Sequence, residues 1–167
     1  LPERLERAWG VARETGAALV CGAVRLIGED GGPVDPGHEI AAWYREARSW
    51  ARGAPSLAAA LRRHNVAATS SSFFFHRDLW TRLGGFRAYR YVHDYDFLLR
   101  AVELCPDRVV YEESLDDVLY RIHDANTITV ANPWIEALDD TSRIEILRYE
   151  GVVLPATLVD IVGDDAN

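Results

Sequence analysis

Apolar positions recur at helical spacing over residues 3–15, where Leu5, Ala8, Trp9 and Ala12 form a stripe behind Pro2 and ahead of Gly16. Such a stripe, with proline at the entrance and glycine at the exit, predicts a helix. From Ala17 to Ile27 the pattern turns β-branched and apolar, then meets Gly28-Glu29-Asp30-Gly31-Gly32-Pro33, which predicts one strand and a turn. Ile40, Trp43, Tyr44, Ala47 and Trp50 mark a second amphipathic helix over 39–50, and Ser56 is suited to cap a short helix running to Arg63. Residues 65–75 pass from small polar residues into Phe73-Phe74-Phe75, a strand, and Arg77 to Leu83 predicts a short helix closed by Gly84-Gly85. The strongest periodicity is Tyr95, Leu98, Leu99 and Val102 within a helix over 94–104. Val109–Tyr111 and Val118–Ile122 read as strands, 135–149 as a helix, and the last five residues as a frayed end. Alternating helices and strands, with no repeat or low-complexity linker, predict an α/β or α+β fold.

The 167 residues suit a single domain, and 49% hydrophobic residues suffice for a packed core. No apolar run approaches the ~18 residues of a membrane span, and Leu1-Pro2-Glu3-Arg4 lacks the layout of a signal peptide. Methionine is absent even at position 1, which predicts that the chain is part of a longer protein. The net charge is −8, with 8 acids against 2 bases in residues 131–167. That balance argues against a general nucleic-acid grip, which needs a basic stripe. All 18 basic side chains are arginine, leaving Arg as the cation for any phosphate contact. Cys21 and Cys105 stand far apart in apolar company and read as reduced, buried thiols.

Polar information concentrates between Gly84 and Arg100. A glycine pair permits a tight turn, after which His93-Asp94-Tyr95-Asp96 brings two carboxylates to the start of a helix. Unpaired N–H groups and the helix dipole there hold a carboxylate ionised and oriented, as a general base requires. Asp96 precedes Arg100 by four residues and suits a surface ion pair. Asp94 has Leu98 at that spacing, so its carboxylate either caps the helix, faces a substrate, or does both. Asp94-Tyr95-Asp96 spells D-x-D, but two helical residues diverge by about 200°, which argues against one shared ion. At the end of the last strand, alternation puts Arg121 and His123 on one face, suited to a pyrophosphate or a metal-bound phosphate. The plainer reading is a surface arginine and a turn-capping histidine, with Asn126 and Thr127 as turn residues. His38, His64 and His76 read as structural; Trp43, Trp50 and Trp80 read as core, with a sugar-stacking platform as an alternative for one. Asp116-Asp117, Asp139-Asp140 and Asp164-Asp165 read as solvated.

The order Thr69-Ser70-Ser71-Ser72-Phe73-Phe74-Phe75, Arg77, Trp80, Gly84-Gly85-Phe86-Arg87, His93-Asp94-Tyr95-Asp96-Phe97, Leu99-Arg100, Tyr120-Arg121-x-His123 and Asn126-Thr127 resembles the family 2 glycosyltransferases of the GT-A fold. The likeness covers roughly residues 1–130 and is to the C-terminal, acceptor-side half of the catalytic domain. It implies a partial GT-A-like domain, a mixed sheet flanked by helices without the nucleotide-binding half and its strand-ending D-x-D. Residues 131–167 would form a helical acidic extension. The resemblance also implies an inverting transferase that moves a sugar from a nucleotide-diphosphate sugar to a saccharide, lipid-linked or protein acceptor, in cell-envelope or polysaccharide biosynthesis. It implies Mg²⁺ or Mn²⁺ on the diphosphate, and a protein that is cytoplasmic or peripheral to a membrane.

By that resemblance Asp94 is the base. His93 stands where many relatives carry a glutamate that contacts the acceptor. Gly84, Gly85, Ser71 and Asp96 fall among the substrate-binding residues, Arg121 contacts the diphosphate, and His123 helps hold the metal. Two alternatives stand beside this reading. One is a glycosyltransferase-like module that binds a saccharide or partner without turnover. The other is a metal-dependent hydrolase built on His93, Asp94, His123 and Asp124. A half-sheet would also leave an apolar edge suited to self-association.

Overall fold

The computed structural model describes residues 3–88 and 93–123. The expected helix over 135–149, the acidic extension 131–167, and Asp124, Asn126 and Thr127 lie outside the described residues. The elements in order are α1 (Arg4–Thr15), β1 (Leu19–Gly22), β2 (Val24–Ile27), α2 (Glu39–Gly53), α3 (Leu57–Arg63), β3 (Phe73–Phe75), α4 (Arg77–Leu83), α5 (His93–Leu104), β4 (Val109–Glu112) and β5 (Val118–Arg121). The architecture is mixed α/β.

Two small sheets follow one another. β1 lies between β3, to which it is antiparallel, and β4, to which it is parallel. β2 pairs with β5 in parallel. The single strand expected over Ala17–Ile27 is therefore two strands in two sheets, broken at Ala23. The cause is tertiary: the Val24 amide donates to the Tyr44 hydroxyl of α2 at 2.8 Å. A buried N–H must be satisfied somewhere, and a phenol from a packed helix does so here.

Alternation along β1 sorts the core into two layers. Leu19 and Cys21 face α3 and α5 and pack with Leu61, Phe73, Phe97 and Leu98. Val20 faces the other way, onto Ala8 of α1 and Leu115. A period of two in the strand thus gives each side of the sheet its own helical cover. α1 does not bury the expected stripe. Ala8, Val11 and Ala12 turn inward, whereas Leu5 and Trp9 are 61% and 53% exposed, with Trp9 set edge-on to Phe74. Trp50 is likewise outside the core, under the Arg63 guanidinium at 4.4 Å.

Local caps match the sequence. Ser56 Oγ accepts from the Ala59 amide, and His38 and His76 each accept through Nδ1 from the amide two residues on, at 3.2 Å. No helix among the described residues is long and apolar enough to cross a membrane.

Arginines from three elements hold the acidic segment between β4 and β5. Arg7 pairs with Asp117 at 2.5 Å and donates to the Ser114 carbonyl at 2.6 Å; Arg25 pairs with Asp116 at 3.0 Å. Arg48 and Arg52 of α2 both bind Glu113, and they hold its carboxyl below the ordinary range, Arg52 having the larger effect. Asp117 is consequently buried, against the expectation of a solvated acid pair, while Asp116 remains at the surface. The same segment presses Leu115 onto Gly22, where an added Cβ would stand 2.3 Å from the Leu115 carbonyl oxygen. Gly22→Ala is expected to lower stability by about 1–3 kcal/mol through this overlap with backbone. Urea unfolding measures it, and an unchanged midpoint would mean that the segment moves off the strand end without cost.

Candidate functional site

The turn after α4 needs glycine for two separate reasons. Gly84 closes the helix at φ 72°, and Gly85 at φ 76° lies so close to Trp80 that a Cβ would stand 2.7 Å from the ring. Left-handed φ values suit glycine. Gly84 is exposed and Gly85 buried. The chain then delivers Phe86 into a cluster with Phe75, Trp80 and Phe97. Phe75 and Trp80 stack at 5.8 Å, and Phe86 meets both Trp80 and Phe97 edge-on at 5.1 Å. Trp80 is thus a packing residue with one face in solvent.

Beside this cluster lies Asp96, 1% exposed. Its Oδ1 accepts from Arg87 at 3.2 Å and its Oδ2 from Arg100 Nε at 2.8 Å. Arg100 also donates to the Leu83 and Gly85 carbonyls at 2.7 and 2.9 Å. The expected i,i+4 pair is present, but it is buried, and Arg87 is a second partner that helical spacing could not reveal. This corrects the surface-pair reading. It also leaves Asp96, expected among the substrate-binding residues, with both oxygens engaged in holding the Gly84-Gly85 turn to α5. Removing one member of a buried ion pair strands the other charge in a poorly solvated site. Asp96→Ala is expected to cost about 3–5 kcal/mol in denaturant unfolding. A loss below 1 kcal/mol, on the scale of an exposed pair, would overturn the buried-hub assignment.

Asp94 and Asp96 diverge, as their helical spacing requires. Asp94, half-buried in the first turn of α5, accepts from the Tyr95 amide at 2.7 Å through Oδ1 and from the Ser70 amide at 3.1 Å through Oδ2. Its carboxylate is therefore not free, and Ser70 is a partner absent from the sequence reading. No sequence signal marks it, because the donor is backbone from 24 residues away. Burial is the largest influence on Asp94 and pushes its carboxyl above the ordinary value. Hydrogen bonds from the Tyr95 and Ser70 amides and the charge of His93 pull the other way without prevailing. Desolvation thus exceeds the stabilisation by nearby donors.

The folded state then binds this proton more tightly than the unfolded chain. The Asp94 contribution to stability falls as pH rises from the unfolded value through the raised folded one. Titration of the Asp94 side-chain carboxyl by NMR is expected to give a midpoint above the ordinary ~3.9. A midpoint below that value would mean that the amide hydrogen bonds prevail.

His93 packs edge-on against Phe86 at 5.5 Å. Ser71 is exposed; its amide donates to Thr69 Oγ1 at 3.2 Å, and its carbonyl accepts from Arg4 at 2.5 Å. Arg121 is exposed, and its Nη1 donates to the Gly28 and Glu29 carbonyls at 3.1 and 2.6 Å, tying the end of β5 to the turn after β2. That is a structural use of a side chain expected on a diphosphate. The residue of β5 that senses Asp94 is Tyr120. Its phenol is pushed up by burial first and by the Asp94 charge second. Strand alternation puts Tyr120 on the inward face with Val118, opposite Arg121, a signal legible in the sequence. His123 is half-buried at the end of the described residues.

Asp94, Ser70 and Tyr120 thus gather at the carboxyl ends of the parallel strands, since Phe73, just after Ser70, pairs with Cys21 near the end of β1. Among the described residues no group of three or more His, Cys, Asp or Glu side chains converges. Asp124, which the hydrolase alternative also needs, lies outside the described residues. Comparison of the chain with protein-family models, curated proteins and solved structures finds no significant match.

Proposed function

We propose that the chain is the acceptor-side part of an inverting glycosyltransferase, with Asp94 as the base. The observation that carries this reading is the Asp94 carboxylate on the carboxyl-end side of β1, oriented by two backbone amides and raised by burial. Open α/β sheets bind ligands at that end of their strands. A carboxyl raised above the ordinary aspartate value is better matched to proton abstraction from a hydroxyl. Asp94 would take the proton from the acceptor hydroxyl as its oxygen bonds to the anomeric carbon. The bond from that carbon to the nucleoside diphosphate breaks on the opposite face, and the diphosphate leaves with the electron pair. Tyr120 would border the acceptor.

A second reading, a module that binds a saccharide without turnover, is favoured by the two amide hydrogen bonds that already occupy Asp94. One experiment separates them: nucleoside diphosphate release from a panel of nucleotide sugars by the protein that carries this chain, with and without Mn²⁺. Under the transferase reading Asp94→Asn lowers turnover by about 10²–10⁴-fold, with circular dichroism and melting midpoint retained. The acid limb of kcat/KM should also lie above the ordinary aspartate range. Turnover that survives in Asp94→Asn reassigns the base. Absence of release from every donor, with a melting midpoint that falls in Asp94→Asn, favours the binding module.

A further inference from the structure

At the amino ends of the strands, opposite Asp94, lies a cleft of about 220 Å³ lined by Ala18, His76, Asp78, Leu79, Arg82, Cys105 and Arg108. Its frame is rigid: the Ala18 amide donates to the Arg108 carbonyl at 2.7 Å and the His76 amide to the Ala18 carbonyl at 2.9 Å. β3, β1 and β4 are thereby joined just where the cleft opens.

We infer that this cleft binds a phosphate dianion, free or as a small monoester, through Arg82 and Arg108. Arginines elsewhere are largely consumed by structure, on carboxylates, carbonyls or rings. Arg82 makes no hydrogen bond or ion pair among the described residues, and Arg108 commits only Nε, to the Gly16 carbonyl at 3.1 Å. Two arginines with guanidinium donors to spare therefore line one cavity in a chain of net charge −8. Guanidinium geometry matches phosphate oxygens in pairs. Asp78 also lines the cleft, but its side chain is 74% exposed, so water weakens its repulsion. The volume falls below the ~300 Å³ at which pockets for larger organic ligands begin, which favours a small anion over a nucleotide. This site is independent of the transferase reading.

Cys105 gives a reporter, because Cys21, the other thiol, is fully buried and unreactive. The test is alkylation of Cys105 by a maleimide, with amide shifts of Leu79 and Cys105 as a second readout, during titration with inorganic phosphate or glycerol phosphate against chloride at matched ionic strength. Saturable protection and saturable shifts are expected with at least one of the phosphates. Arg82→Gln should weaken them about tenfold or more, on the scale of one charge-assisted hydrogen bond. Arg45→Gln, which removes an exposed arginine of α2 beside the Tyr44 that binds Val24 beyond the carboxyl end of β1, should change neither. Shifts that do not saturate, chloride acting as well as phosphate, or an equal loss in Arg45→Gln would overturn the assignment. Arg82 has no structural partner among the described residues, so the variant is expected to fold, and its amide spectrum checks this.

Discussion

The Asp96 carboxylate, held out of water between Arg87 and Arg100, is the constraint on which the rest of the site depends. A desolvated carboxylate is costly, and two guanidinium partners offset that cost only if both are placed correctly. Arg100 is placed by α5 itself, one turn beyond Asp96. Arg87 is placed by the Gly84-Gly85 turn, whose carbonyl Arg100 also binds. Turn, ion pair and helix start therefore specify one another. Phe86 and Phe97 enter the aromatic cluster from either side of the same hub, so polar and apolar packing agree on a single arrangement. The first turn of α5, and with it Asp94, is fixed as a consequence.

Arginine, the chain's sole basic residue apart from histidine, does most of its work on backbone and on acids. It caps carbonyls at the ends of β3 and α4, and it gathers the acidic segment between β4 and β5 onto α1, β2 and α2. That segment runs from β4 of one sheet to β5 of the other, and four arginines bind it. Each exposed contact is worth little alone. Together with the Leu115–Gly22 contact they set where β4 ends and β5 begins.

The two ends of the sheet differ in chemistry. On the carboxyl-end side the Asp94 carboxyl is raised by burial and its charge reaches the Tyr120 phenol; at the amino ends, two arginines line a small cleft. One end suits proton transfer and the other an anion. Neither follows from net charge, which averages the two.

The short-range signals lay open in the sequence. Ser56 as a cap, the glycine pair closing α4, the period of α5 and the strands after it each need only neighbours within a turn, so reading along the chain found them. Asp96–Arg100 was also legible as a pair four residues apart. What remained hidden depends on residues brought together from a distance: that the pair is buried, that Arg87 joins it, that Ser70 supplies an amide to Asp94, and that Asp117 is covered by Arg7. Helical periodicity likewise tells which residues share a stripe and not what covers it, which is why Trp9 and Trp50 turned outward. The break at Ala23 has the same origin, since a phenol from α2 takes the amide that would have continued the strand. Local spacing determined the elements; burial, and with it the charge state and role of each acid, belonged to the tertiary structure, because desolvation is a property of all that surrounds a group.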